Sequence, residues 1–345
     1  MRGRWRPGLL RWSLLLLGGL ASAEGGDGSV RVATYNLQNY LAMDRRVDGT
    51  FRPDYPKPES EKTALRRVIR SVEPDILALQ EMGPRPYLEE LWRDLETEGL
   101  VYPYRVLLEA ADEERHTAVL SRIPFVENRS IDLLHFRYFD GKEAVKRGLI
   151  ELVFECEGER WSLFVVHLKS RYTDREDDPE SGIRRVGEAR AIRDVILERY
   201  PDPSAGAFMI AGDLNDTKGS RSLNALLKRG GTEISRAVPA INQWGQTWTH
   251  YYGKEEVYSR ADYLPVSAAS SSRVVGGRGA VRTDVAARAS DHRLVWLISI
   301  SRIEIPGSTA AGYCRYDNRP VGGDDPPSQR TVIGTMISLW PGAET

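Results

Sequence analysis

Short runs of apolar residues, some alternating with polar residues, recur along most of the chain and predict β-strands. These runs cover residues 30–36, 75–81, 101–108, 116–121, 147–155, 161–167, 205–211 and 293–300. Apolar residues at helical spacing predict helices at residues 60–72, 86–98, 183–199 and 220–228. Residues 37–58 contain several prolines and show no clear period, so they are predicted to form a long loop.

The first residues differ from the rest of the chain. Residues 1–23 combine four arginines, a short apolar segment at 14–20 and the small-residue sequence Ala21-Ser22-Ala23. This combination predicts a secretory signal peptide that is cleaved after Ala23. An uncleaved membrane anchor is the alternative, but the apolar segment is too short to span a bilayer. We therefore expect a secreted, periplasmic or cell-envelope protein with no transmembrane span after cleavage.

The 345 residues would allow two domains, but one large α/β domain also fits. We expect a flexible lead-in at 24–29, a domain at 30–301 and a C-terminal extension at 302–345. The extension is rich in Gly, Pro and Asp, and either an appended strand pair or a loose tail is compatible with it. Removal of the four N-terminal arginines changes the net charge from −1 to about −5. An acidic protein is not expected to hold nucleic acid by a broad basic face, but a few local phosphate contacts remain compatible with it.

The chain has two cysteines, Cys156 and Cys314. Export would make a disulfide between them chemically possible, and two unpaired cysteines are equally compatible with the sequence. No Cys-x-x-Cys spacing indicates a thiolate metal site.

Polar side chains follow the ends of several predicted strands. The apolar run 205–211 leads into Gly212, Asp213, Leu214 and Asn215, and the alternation of extended backbone places Asp213 and Asn215 on the same side. Turn formation alone could explain one such ending. The same kind of ending recurs at Asn36, Glu81, His167 and Asp291-His292, with Asp262 as a further candidate. Such a series indicates a functional site at one edge of the fold.

The order and wording of these segments resemble the endonuclease/exonuclease/phosphatase superfamily, which includes pancreatic deoxyribonuclease and neutral sphingomyelinases. The matching segments are Thr34-Tyr35-Asn36, Gln80-Glu81, Leu120-Ser121-Arg122-Ile123-Pro124, Val166-His167-Leu168-Lys169-Ser170, Gly212-Asp213-Leu214-Asn215, Arg260-Ala261-Asp262-Tyr263 and Ser290-Asp291-His292. Each segment is short, but their ordered set is specific. The resemblance extends over residues 29–300. It implies a four-layer α/β sandwich, with two packed mixed β-sheets flanked by helices.

The resemblance also implies divalent-metal-dependent hydrolysis of phosphate esters, with Mg²⁺ as the cofactor and Mn²⁺ as a substitute. A hard cation neutralises phosphate charge and takes oxygen ligands. By resemblance, Glu81 is the principal metal ligand, Asn36 lies beside it, and Asp291 serves the metal region. Asn36 could instead be only a turn residue.

The resemblance assigns catalytic roles to a second group of residues: His167, Asp213, Asn215, Asp262 and His292. Asp213 would orient or deprotonate the attacking water, and Asn215 would fix its position. His292 would bind the scissile phosphate with Asp262 as its partner, although Asp262 could simply pair with Arg260. Arg147 resembles a phosphate-contacting arginine, and a surface charge is the alternative.

These features predict a phosphodiesterase, in the first instance a nuclease that binds nucleic acid without sequence specificity. A sphingomyelinase-like phospholipase or a phosphomonoesterase on the same fold is the alternative, and a non-catalytic binding module ranks lower. An aromatic cluster at Trp244, Trp248, Tyr251 and Tyr252 would serve membrane contact, core packing or base stacking equally well. The sequence gives no indication of a protein partner.

Overall fold

The computed structural model describes residues 29–156, 158–173, 175–283 and 289–300. The predicted signal peptide, residues 24–28, Cys314 and the extension 302–345 lie outside these residues. Cys156 is disulfide-bonded. In chain order the described strands are β1 (Ser29–Tyr40), β2 (Met43–Val47), β3 (Thr50–Tyr55), β4 (Ile76–Met82), β5 (Tyr104–Leu108), β6 (His116–Ser121), β7 (Phe125–Asn128), β8 (His135–Tyr138), β9 (Gly141–Ala144), β10 (Ile150–Cys156), β11 (Glu159–His167), β12 (Phe208–Asp213), β13 (Lys228–Arg229), β14 (Thr232–Glu233), β15 (Arg236–Ala237), β16 (Ala240–Ile241), β17 (His250–Tyr252), β18 (Val257–Ser259), β19 (Asp262–Tyr263), β20 (Pro265–Val266), β21 (Gly279–Val281) and β22 (Val295–Ile300). The helices are α1 (Glu59–Val72), α2 (Arg85–Thr97), α3 (Gly182–Arg199), α4 (Arg221–Leu227) and α5 (Ala268–Ser271), with a short 3-10 helix at Val275–Gly277.

The larger strands form two mixed sheets. The first has the strand order β16-β21-β22-β1-β4-β6-β5, and the second has the order β15-β20-β12-β11-β10-β7, with β19 also paired to β12. Each sheet has a parallel pair near its centre, β1 with β4 and β11 with β12, beside antiparallel neighbours. In each parallel pair the two strands end at the same edge of the sheet, so polar side chains at their carboxyl ends lie side by side.

Side-chain alternation along the strands builds the layers. Val30 and Val32 of β1 pack in a core with Val165 of β11 and Ala211 of β12, so this core lies between the two sheets. Residues on the other face of β1, such as Tyr35, belong to a core shared with α1 and α2. A third core packs α3 and α4 on the outer face of the second sheet. The result is a four-layer α/β sandwich, as the family resemblance implies.

The predicted loop at 37–58 is wrong. Strand β1 continues to Tyr40, and β2 and β3 then form an antiparallel hairpin. Its turn is Asp48-Gly49, and both residues have positive φ, 51° and 77°. Such turns match the twist of a hairpin, and Asp-Gly is a strong sequence signal for them. Pro53 of β3 is tolerated because this ribbon has only two strands, whose outer edges need no ladder partners, and Pro56 and Pro58 follow β3.

Glycine is required at position 212, where β12 meets β11. Gly212 is paired with Val166 in the parallel ladder and has a φ of +151°. A Cβ atom built on Gly212 would lie 1.9 Å from the carbonyl oxygen of Val166. A side chain at this position would therefore separate β12 from β11 immediately before Asp213.

We predict that Gly212→Ala destabilises the protein by roughly 3 kcal/mol, because the strands cannot part without breaking ladder hydrogen bonds. Urea unfolding measures the change. Gly231→Ala is the control, since a Cβ at Gly231 meets nothing within 4 Å, and it should unfold like the wild type. Equal stability of the two variants would contradict the tight β11–β12 approach.

Candidate functional site

Polar side chains replace the apolar core at one end of the space between the sheets. Asn36 lies on the same face of β1 as Val32, which packs in the inter-sheet core. His167 and Asp213 likewise continue the inter-sheet faces of β11 and β12 and are paired with each other in the ladder. The three side chains are almost completely buried. The alternation of both sheets thus directs them toward a common point.

The carboxylate of Asp213 is that point. Its Oδ2 accepts a hydrogen bond from Asn36 Nδ2 at 3.0 Å, and its Oδ1 accepts one from the backbone N–H of Asn215 at 2.7 Å. The Nε2 atoms of His167 and His292 lie 3.6 Å and 3.8 Å from Oδ2. Residues from four distant segments of the sequence therefore surround one buried carboxyl group.

Asn36 links Asp213 to Glu81. Asn36 Nδ2 lies 3.3 Å from Glu81 Oε1, while the carboxamide oxygen of Asn36 accepts the backbone N–H of Gln38 at 2.9 Å. Its nitrogen rather than its oxygen therefore faces the two carboxylates and links them in one hydrogen-bonded network. The role of Asn36 as a metal ligand stays a prediction. Glu81 Oε2 accepts the backbone N–H of Asn39 at 2.8 Å, and the Glu81 side chain is only partly buried.

His292 is held by a buried carboxylate. Its Nδ1 lies 2.8 Å from Asp262 Oδ2, and the backbone N–H groups of Ala261 and Asp262 both donate to Thr249 Oγ1 at 3.0 Å. The alternative pairing of Asp262 with the Arg260 side chain is wrong, because Arg260 Nε approaches only the backbone oxygen of Asp262, at 3.5 Å. The Asp262 contact leaves Nε2 of His292 directed toward the Asp213 carboxylate.

Burial and neighbouring charges set the protonation of this cluster. Burial raises the pKa of Asp213 to about 7, against the opposing effect of the positive charge on His292. Burial alone would lower the pKa of His292, but the carboxylates of Asp262 and Asp213 raise it well above its ordinary range. Burial, together with the nearby charge of Arg147, lowers the pKa of His167 well below its ordinary value. The site therefore combines a charged imidazole, a neutral imidazole and a carboxyl group that titrates near neutrality.

Two buried side chains, His167 beside Asp213 and Arg147, whose charge acts on His167, have polar atoms without hydrogen-bond partners. Both ring nitrogens of His167 are unpartnered, as are Nε and Nη1 of Arg147. Arg147 is 6% exposed and pairs through Nη2 with Asp112 Oδ2 at 3.0 Å, so the alternative of a surface charge is wrong. Buried polar groups normally find partners, and an anion would accept hydrogen bonds from the N–H groups among these atoms.

Asp291 lies beside a histidine that the sequence patterns did not indicate. Its Oδ2 is 3.9 Å from His250 Nε2, and the His250 ring lies 4.5 Å from the ring of His292. The backbone N–H of Asp291 donates to Gln38 Oε1 at 3.1 Å. His250 begins strand β17, which was not predicted; the aromatic run that follows it in the sequence was the available signal.

Several residues around the site have strained backbones that other side chains hold in place. Gln38, Asn39, Glu81 and Asn215 all have positive φ, from 49° to 57°, which is uncommon for residues other than glycine. Such strain costs about 1–3 kcal/mol per residue and persists where the surroundings fix it. Supporting hydrogen bonds to this segment are Lys57 Nζ to Gln38 O (3.0 Å), Arg45 Nη2 to Leu41 O (2.9 Å) and Arg115 Nε to Asn39 Oδ1 (2.7 Å).

The donor set suits a hard divalent cation. Glu81 presents carboxylate oxygens at a partly exposed position, and Mg²⁺ typically takes one or two carboxylates and keeps several waters. Within the described residues, two further groups have donor atoms within 4.8 Å of one another, namely His250/Asp291/His292 and Asp213/Asp262/His292. Glu81 belongs to neither group.

Comparisons with known proteins identify the family. The model of the Endonuclease/Exonuclease/phosphatase family matches residues 33–292. No curated protein matches the chain. None of the helices in the described part of the chain is both long and apolar enough to cross a membrane.

Solved structures show the same fold at low sequence identity. Truncated TDP2 from Caenorhabditis elegans is 17% identical with a TM-score of 0.52, and the match covers 79% of this chain and 98% of that one. Sphingomyelinase C from Streptomyces griseocarneus is 16% identical with a TM-score of 0.53, covering 79% and 99%. Beta toxin from Staphylococcus aureus is 14% identical with a TM-score of 0.53, covering 78% and 99%. Since the family match includes every strand end that converges on Asp213, the chain belongs to the endonuclease/exonuclease/phosphatase family, whose members are metal-dependent phosphoesterases.

Proposed function

We propose that this protein is a Mg²⁺-dependent phosphodiesterase that hydrolyses nucleic acid without sequence specificity. The observation that carries the proposal is the arrangement of Asp213 with two imidazoles, those of His167 and His292, each within 4 Å of its carboxylate. A carboxyl group of near-neutral pKa can accept a proton from water, and cationic or neutral N–H donors can bind the phosphate oxygens.

The proposed reaction is direct attack of water on phosphorus. Asp213 accepts the proton of the attacking water, and Asn215 helps to fix the Asp213 carboxylate through its backbone N–H. The bond from phosphorus to the leaving oxygen breaks, and His292, kept charged by Asp262, stabilises the negative charge that develops. Glu81 and Asp291 would hold the cation, with Asn36 beside Glu81, and the cation's chemistry is to neutralise phosphate charge.

A local group of cations supports a polyanionic substrate, although the protein as a whole is acidic. Burial, followed by the charge of Arg147, lowers the pKa of Lys169 to about 8, and the charges of Arg184 and Lys146 act in the same direction. Arg147 also lies close enough to His167 to lower its pKa. Arg147 and Arg184 are paired with Asp112 and Glu143, but Nε and Nη1 of Arg147 have no partner, so a phosphate of a nucleic acid backbone fits this side of the site.

We predict that Asp213→Asn lowers kcat by about 10²–10⁴-fold, because an amide cannot accept the proton of water. The measurement is the rate of hydrolysis of a phosphodiester under saturating metal and substrate. Asp140→Asn, at an exposed position, is the matched control and should retain wild-type turnover. Near-normal turnover in a folded Asp213→Asn protein would remove Asp213 from the mechanism.

A second prediction concerns the metal. Chelation should abolish hydrolysis, and Mg²⁺ or Mn²⁺ should restore it. Glu81→Gln should weaken Mn²⁺ binding by about tenfold or more, because a neutral amide is a poorer ligand than a carboxylate. Isothermal titration calorimetry of the metal-free protein measures this affinity without reference to activity. Unchanged Mn²⁺ affinity would show that Glu81 is not a ligand.

The substrate is tested by a parallel panel of plasmid DNA, RNA, sphingomyelin and a chromogenic phosphodiester, each with added metal. Cleavage of DNA or RNA in preference to sphingomyelin supports the proposal. Exclusive cleavage of sphingomyelin would contradict the nuclease proposal and identify a phospholipase.

We also propose that the protein is exported, on the evidence of the arginines, apolar segment and Ala21-Ser22-Ala23 in the sequence. When the full chain is expressed in a secreting host, the mature N-terminus should be Glu24. N-terminal sequencing of the mature protein checks this expectation. A protein that retains Met1 would contradict cleavage.

A further inference from the structure

A cleft of about 830 Å³ adjoins the candidate active site. Asp291 and His292 line part of it, and most of the remaining wall is aromatic and cationic. The aromatic lining residues that concern us are Trp248, Tyr251, Tyr252 and Tyr258, and the cationic ones are Lys254, Arg282 and Arg293. The composition of this cleft differs from that of the buried cluster around Asp213, and none of the roles described above uses its aromatic side chains.

Three of the aromatic side chains contact one another in a row, with Tyr258 between Tyr251 and Trp248, and we call this cluster the aromatic platform (Trp248, Tyr251 and Tyr258). Tyr251 of β17 and Tyr258 of β18 are directly paired across the hairpin, and their rings are stacked with centroids 4.6 Å apart and planes inclined by 27°. The ring of Trp248 lies 4.5 Å from that of Tyr258. The guanidinium of Arg293 covers Trp248, while the Tyr258 side chain remains 57% exposed.

The platform is attached directly to the catalytic segment. The backbone N–H of Tyr251 donates to the carbonyl oxygen of Asp291 at 2.9 Å, and the N–H of Arg293 donates to the carbonyl oxygen of Thr249 at 2.6 Å. His250 and His292 form a bridge between the same two segments. Because paired strands lie only about 4.8 Å apart, a substrate phosphate at His292 brings its neighbouring groups to the platform.

We propose that the aromatic platform is a stacking subsite for an unpaired nucleobase next to the scissile phosphate, so that the preferred substrate is single-stranded nucleic acid. This inference rests on the proposed function. Aromatic faces beside cations bind single strands without sequence preference, because every base has a π-face and every linkage a phosphate. A base within a duplex is already stacked on both sides and cannot occupy the platform.

The residues at the tip of the β17–β18 hairpin disfavour insertion into a membrane. A hairpin that enters a bilayer needs an apolar tip, but the β17–β18 turn is Gly253-Lys254-Glu255-Glu256. Its charged residues Lys254, Glu255 and Glu256 would be costly to bury in a bilayer. Trp244, which is 62% exposed, does not line the cleft.

The test is oligonucleotide binding in the Asp213→Asn background, where cleavage is suppressed. Fluorescence anisotropy measures the affinity for a short labelled oligothymidylate, for a duplex of the same length and for an abasic strand with the same phosphates. Tyr258→Ala should weaken oligothymidylate binding by about fivefold to a hundredfold, the range measured for loss of one stacked base. Tyr258→Phe keeps the ring and should bind as the background protein does.

The controls separate stacking from other effects of substitution. Phe51→Ala removes an aromatic side chain of equal exposure, 58%, that does not line the cleft, and it should leave binding unchanged. Abasic-strand binding should be equally weak with and without the Tyr258→Ala substitution, since no base is available to stack. Duplex binding should be weaker than single-strand binding and insensitive to Tyr258→Ala.

Different results would contradict the stacking proposal and the proposed nuclease function. If the wild-type protein cleaves oligothymidylate but Tyr258→Ala binds it normally, the platform is wrong and the nuclease stands. If Tyr258→Ala affects abasic and normal strands equally, stacking is likewise overturned. Binding of sphingomyelin vesicles that depends on Tyr258, with no binding of oligonucleotides, would overturn both and identify a membrane-contacting hairpin.

Discussion

The site is organised by the need to accommodate one buried carboxyl group, that of Asp213. It lies at the end of the inter-sheet core, where an unpaired charge is costly. Asn36 and Asn215 donate hydrogen bonds to it, and His167 and His292 approach its Oδ2. These partners come from both sheets, so the carboxylate is satisfied only when the sandwich is assembled. The same convergence that makes the buried group tolerable gives it a near-neutral pKa and a set of phosphate-binding partners.

A second constraint is backbone strain on the metal side of the site. Glu81 has positive φ, and the N–H that binds its carboxylate belongs to Asn39, which is strained as well. The buried Lys57 holds the carbonyl of Gln38, and Arg45 reaches the same segment from the β2–β3 hairpin. The hairpin therefore has a structural role, because Arg45 and the neighbouring Lys57 bind the carbonyls of a bent segment and so position Glu81. Strain concentrated in this way is typical of sites where geometry matters more than stability.

The four-layer fold was implied by the family resemblance of the ordered short segments, and residue alternation placed polar groups at the strand ends. The sequence predictions failed where the outcome depends on distant contacts. Arg147 has no local pattern that distinguishes a buried arginine from a surface one, and only the pairing with Asp112 decides it. His250 lies on a three-residue strand that forms against its hairpin partner and the 291–293 segment. The hairpin within 37–58 was predictable from Asp48-Gly49, but its prolines masked that signal.

We infer that Asp213 and His292 act together on one phosphorus atom. A double-mutant cycle tests it most directly, by comparing kcat/KM for Asp213→Asn, His292→Gln and the variant carrying both, with folding checked by thermal unfolding. Residues that act as a unit have strongly non-additive effects. If the two residues act on one phosphorus atom, kcat/KM of the double variant should be little lower than that of the slower single variant. Losses that simply multiply, or a double variant with near-wild-type turnover, would show that the two residues do not share a reaction centre.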